Sequence, residues 1–110
     1  MEISLSRNPE FHELLDKMKQ THDAKSHDYA DDSNVFSNFE YAANVAEVTV
    51  DQVFLVLIGV KIARLQQLLK GKEPKNESLN DTFLDLTNYC AIWSSRNIKM
   101  QKNRIKNSND

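Results

Sequence analysis

The stretch from Val53 to Asn88 constrains this chain most: a long apolar segment interrupted by Lys61 and Arg64, followed by a second segment carrying Asp81, Asp85 and Asn88. Two cations in an otherwise hydrophobic helix are costly to bury unless an anion meets them. That anion is either a facing carboxylate or a phosphate ligand, and much of the functional reading depends on which.

The first segment reads as a helix rather than a strand. Thr49-Val50-Asp51-Gln52 fits a capping box, Val48 and Val53 fit a hydrophobic staple, and Gly71 suits the position just past the end. Apolar residues from Val53 to Leu69 cover nearly its whole circumference, which places the helix centrally or at an interface. Ser78 caps the next helix, with Asp81 in its first turn. Upstream, Asn8-Pro9 opens a helix running to about residues 27–30, with Phe11, Leu14, Leu15 and Met18 on one face. Asp31 to Asn34 form a turn, and a shorter helix spans roughly Val35 to Ala46. The expectation is one all-α domain over residues 1–110, a four-helix bundle, with residues 1–8 and about 100–110 fraying. A bundle of this size covers one stripe of a helix, so the all-round apolar third helix also predicts a homo-oligomer, a dimer or higher.

Composition narrows the classes. The 110 residues suffice for one core, and the formal net charge of -2 speaks against nucleic acid as a partner. A single cysteine excludes an internal disulfide framework and fits a reducing cytoplasm. No secretory signal is visible, and the longest unbroken apolar run, Val53 to Ile58, is too short for a bilayer, so no membrane partner is expected. His12, His22 and His27 lack the spacing of a metal set. Cys90 falls on the apolar side of the last helix, as a buried thiol, and Trp93 belongs to the core or an interface.

Two helices joined by a short loop pack antiparallel. Counting about 1.5 Å per residue from the facing ends puts Arg64 level with Asp85, and Lys61 level with Asn88 and Tyr89. Asp81, Asp85 and Asn88 fall on one stripe, as do Lys61 and Arg64. One reading is an ion-pair network that fixes register. The other is a polyanion site, in which Asp81 and Asp85 hold Mg²⁺ while Lys61 and Arg64 contact the phosphates. A second polar cluster, Lys25 to Ala30 followed by Asn38, Phe39 and Glu40, is either a solvated helix end or part of that site, with Tyr29 beside a base or ribose.

Lys25-Ser26-His27-Asp28-Tyr29-Ala30, Asn38-Phe39, Lys61-Ile62-Ala63-Arg64-Leu65 and the segment from Asp81 to Tyr89 resemble small phage and prophage proteins distantly similar to the MazG-like, all-α nucleoside triphosphate pyrophosphohydrolases. The resemblance spans about residues 18–93, and the Asp-x-x-x-Asp-Leu-x-Asn-Tyr segment is its most specific part. It implies an oligomeric helical bundle that binds a nucleotide, with Mg²⁺ on Asp81 and Asp85 as catalytic and metal residues. It further implies phosphate contacts from Lys61 and Arg64, and Lys25, Tyr29 and Asn88 are the further nucleotide-binding candidates. The chain departs from the family in lacking a Glu-x-x-Glu pair on the preceding helix; Glu40 and Glu77 are the substitutes as metal ligands. The implied activity is Mg²⁺-dependent hydrolysis of NTPs or dNTPs. The alternatives are a non-catalytic protein that sequesters a nucleotide or cyclic nucleotide, and a structural or interaction module.

Overall fold

The computed structural model describes residues 7–29, 33–74 and 77–108, and among them the chain is all-α, with no strand. Four helices follow in order: α1 (Pro9–Tyr29), α2 (Ser37–Ala46), α3 (Val50–Leu69) and α4 (Leu79–Ser108).

Helices α1, α3 and α4 start where a side chain satisfies a free N–H group of the first turn. The Asn8 side-chain oxygen accepts from the Phe11 N–H at 3.1 Å, and Pro9 takes the first helical position, where no N–H is needed. Helix α2 begins two residues later than Val35, because the Asn34 side chain captures the Phe36 N–H at 3.0 Å and holds residues 34–37 in a turn. It ends at Glu47, which adopts the left-handed conformation (φ 59°) while the Val48 N–H bonds the Ala43 carbonyl at 3.0 Å, a Schellman closure. The capping box at Thr49 forms in both directions, at 3.1 and 2.9 Å. Gly71 (φ +91°) closes α3, a conformation glycine adopts without a Cβ penalty. At α4 the Ser78 hydroxyl accepts from the Asp81 N–H at 3.0 Å, and the Asp81 carboxylate reaches back to the Ser78 N–H at 3.4 Å.

Helices α3 and α4 form the antiparallel hairpin that the short loop predicts, with α2 laid on α3 and α1 on α4. The core is aromatic. Phe54, fully buried, stacks on Phe39 at 4.4 Å between centroids and on Trp93 at 5.7 Å, with Phe36 beside them. The Trp93 indole N–H donates to Asp51 at 2.7 Å, pinning α4 to the first turn of α3.

The two halves of α3 differ. Val50, Val53, Phe54, Leu57, Ile58, Lys61, Arg64, Leu65 and Leu68 turn inward, so both cations lie on the covered side. The opposite half is open, with Leu55, Val56 and Val60 each more than half exposed. At 20 residues, α3 as a whole is long and apolar enough to cross a bilayer by length and composition, which the short run Val53 to Ile58 alone does not suggest. Helix α4 continues as regular helix to Ser108, past residue 100 where fraying was expected; Lys, Arg, Met and Gln form helix well without an apolar face. The chain is broad and thin, 52 × 50 × 23 Å, with a radius of gyration of 17.1 Å. A compact domain of this length has a radius of about 13 Å.

Candidate functional site

The inward cations of α3 meet carboxylates, but not in the expected register. Lys61 Nζ lies 2.8 Å from Glu77 Oε1 and 2.9 Å from Asp85 Oδ2. Arg64 donates from a terminal nitrogen to the Glu77 backbone carbonyl at 2.6 Å. Its Nε stands 2.7 Å from Glu77 Oε2, a close ion pair whose N–H is not aligned for a hydrogen bond. Asp85 therefore faces Lys61 rather than Arg64. The physical reason is the loop: its last residues fold back beside Arg64, so α4 begins about one turn further along α3 than equal counting from the two ends assumes. Thr82, fully buried, completes the cluster, its one hydroxyl proton shared between the Ser78 carbonyl at 2.9 Å and Glu77 Oε2 at 3.1 Å.

The proposed metal ligands are not brought together. Asp81 is exposed and occupied by its capping box, because Ser-x-x-Asp serves as a helix start before it can serve as a ligand pair. Glu40 accepts from the Asn34 amide at 3.0 Å. Glu77 and Asp85 do converge, yet the ammonium of Lys61 sits between them, where a shared divalent cation would have to be. Among the described residues no group of three His, Cys, Asp or Glu side chains is placed to hold a metal ion. The donor set does not fit Mg²⁺ bound through these residues.

Beside the ion-pair cluster lies a cavity of about 400 Å³ between the four helices. Its walls are mostly apolar, from Phe39, Val53, Leu57 and Ile92, and its polar groups are His22, Lys25, Ser26, Asn38, Asp85, Asn88 and Tyr89. The two sequence clusters thus meet here: Lys25, Ser26, Asn38 and Phe39 from α1 and α2, Asp85, Asn88 and Tyr89 from α4. Asn88 is the telling member. It is 8% exposed, and no group among the described residues hydrogen-bonds its side-chain amide. Its amide atoms are not among the buried atoms left without a partner, so they open onto the cavity. Lys25 reaches Asp85 at 3.4 Å from an exposed position, a loose contact that leaves its charge available. A shallower hollow of about 300 Å³ shares His22 and Asn88 with this cavity.

Sequence reasoning missed His22, whose Nδ1 lies 3.5 Å from the Ser26 hydroxyl, one turn away on the same face of α1; that i, i+4 pairing was the available signal. The Tyr29 side chain lies outside the described residues. Cys90 is exposed rather than buried: none of the described helices covers that side of α4.

The network sets a pH window. Burial opposes ionisation of Asp85, but hydrogen bonding to Lys61 and the nearby Lys25 charge hold its carboxyl below the usual 3.8. Burial likewise opposes the charge on Lys61, and hydrogen bonds to Glu77 and Asp85 outweigh it, raising the ammonium above 10.5. The lowered acid stabilises the fold above its unfolded-state value and loses that contribution as pH falls through the folded one. The raised base contributes fully below 10.5 and loses its contribution at higher pH. Urea melts across pH are expected to show a plateau between these limits. The stability gap between the parent and Asp85→Asn should shrink below about pH 3.8; a gap constant into acid would contradict the assignment.

Comparison with protein-family models, with curated proteins and with solved structures gives no match.

Proposed function

We propose that this chain binds a nucleotide, or a nucleotide-derived small molecule, in the cavity between its helices, and holds it without hydrolysing it. The observation that carries this reading is the largely buried Asn88 side chain, whose amide opens onto a cavity of about 400 Å³ and has no hydrogen-bond partner among the described residues. That volume falls in the range of small-molecule sites, about 300–1,000 Å³, which are apolar with a few convergent polar groups. An amide can bond a base edge through both its N–H and its carbonyl, and Phe39 and Tyr89 line the same cavity. The Asp85 carboxylate suits ribose hydroxyls, and Lys25 with His22 suits phosphate.

Two details favour binding over pyrophosphate release. Lys61 and Arg64 are engaged by Glu77 and Asp85, which makes them architectural, and the carboxylates around them do not form a metal cage. One loosely held lysine, with a histidine, matches a ligand with few phosphates, a nucleoside monophosphate or cyclic nucleotide, better than a triphosphate. We further propose that the chain acts as a homo-oligomer in the cytoplasm, where copies complete the four-helix packing that one chain leaves open.

Incubation with a panel of NTPs and dNTPs plus Mg²⁺ is expected to release no pyrophosphate, while mono- or cyclic nucleotides raise the melting temperature. A ligand at 100 times its Kd adds about 2.7 kcal/mol. Steady pyrophosphate release that Asp85→Asn abolishes would replace this reading with the hydrolytic one.

A further inference from the structure

The surface of the chain is larger than its mass requires. It exposes 8802 Å², whereas a compact monomer of this mass exposes about 6200 Å². The excess, roughly 2600 Å², is spread over the whole chain; the about 800 Å² that each partner contributes to a stable interface is a fraction of it.

Much of the unsatisfied apolar surface lies on the open half of α3, where Leu55, Val56, Val60, Ile62 and Leu69 are all exposed. Gly59 sits at the centre of that face and at the midpoint of Val50–Leu69. A glycine weakens a helix interior, and nothing inside the chain explains this one: a methyl group built on it would meet no atom within 4 Å. Its lack of a side chain becomes useful only if something outside the chain approaches closely there.

We infer that a second copy of this chain covers the face, with the two α3 helices crossing antiparallel on a two-fold axis through Gly59. The inference deepens the oligomeric reading above and is independent of the ligand. A two-fold contact uses the same patch twice, and a glycine at the midpoint is where such an axis gives the closest approach. The axis pairs each residue with the one equally far from Gly59 on the other copy. Leu55 then faces Ala63, Val56 faces Ile62, and Gln52 faces Gln66: apolar meets apolar and amide meets amide. The antiparallel order also sets the acidic first turn with Asp51 toward the partner's Lys70 end. The glutamines distinguish this occupant from lipid. Gln66 and Gln67 lie on the same exposed half, and in hydrocarbon their amides would find no partners.

The test is the mass of the full chain in solution at micromolar concentration, measured by light scattering for the parent, Val56→Asp and Gly59→Leu, with helical circular dichroism to confirm folding. The parent is expected at twice the chain mass or a multiple of it. Both variants should fall to smaller species while staying helical, and Gly59→Leu should do so although it adds apolar surface and a better helix former. A parent oligomer that both variants retain keeps the oligomeric reading but overturns the α3 contact. A monomeric parent overturns both, as does a parent that floats with phospholipid vesicles. Nucleotide binding is scored separately, so its loss or retention does not decide this outcome.

Discussion

Phe54→Ala is expected to remove about 3–5 kcal/mol, the largest loss available to a single side chain here. Phe54 is 0% exposed and stacks between Phe39 and Trp93, so one ring joins α2, α3 and α4. Truncation deletes that contact and leaves a hole between three helices. Because the chain is broad and thin, partial collapse of α2 onto α3 moves the expected loss toward the lower end. At about 4–8 °C per kcal/mol for a small domain, the melting temperature should fall by more than about 10 °C, with loss of the near-ultraviolet signal of Trp93. A calorimetric loss under about 1 kcal/mol would mean that the aromatic stack does not organise the core.

The second large effect belongs to Glu77. Its carboxylate and carbonyl hold Lys61 and Arg64 together, with side chains 17%, 32% and 20% exposed for Lys61, Arg64 and Glu77. Removing one partner of a buried pair costs about 3–5 kcal/mol, because the other charge is stranded. Partial exposure here and the remaining Lys61–Asp85 pair reduce the figure for Glu77→Gln to about 2–3 kcal/mol. The double change Arg64→Met with Glu77→Leu should recover most of it, since a well-packed apolar pair often replaces an ion pair at little cost. Arg64→Met with Asp85→Leu should not, because Asp85 meets Lys61 instead. Equilibrium denaturation of the two double variants distinguishes the observed register from the one that simple counting suggests.

That contrast shows what was legible in the residues. Helix starts were, because Asn8-Pro9, the Thr49 capping box and Ser78 with Asp81 are local chemistry. The end of α3 was too, because Gly71 answers a backbone requirement. The register of α3 on α4 was not: it depends on where Glu77 and Ser78 come to lie beside Arg64, and a loop path is not periodic. The inward placement of Lys61 and Arg64 follows from their shared face, yet their partner Glu77 precedes the helix expected to supply it. Asp81 was read as a ligand because a capping box and a carboxylate stripe use the same letters, and the cap forms within four residues. Cys90 was placed inside because its neighbours on the stripe are apolar; in an open, thin molecule an apolar stripe is no guarantee of cover. For the candidate site, Lys25, Asn38, Asp85, Asn88 and Tyr89 could be singled out as polar clusters. Their meeting around one cavity required the fold.

The central claim is that Asn88 presents its amide to a ligand in the cavity, and isothermal calorimetry of the parent and Asn88→Leu with a panel of nucleoside monophosphates, triphosphates and cyclic nucleotides tests it most directly. Asparagine and leucine are close in size, and removing an amide that has no hydrogen-bond partner among the described residues should leave stability unchanged or raise it. The account predicts that the parent binds at least one nucleotide, that Asn88→Leu melts no lower than the parent, and that its affinity falls at least tenfold, about 1.4 kcal/mol. A parent that binds none of the panel, or an Asn88→Leu variant that binds as tightly as the parent, would contradict it.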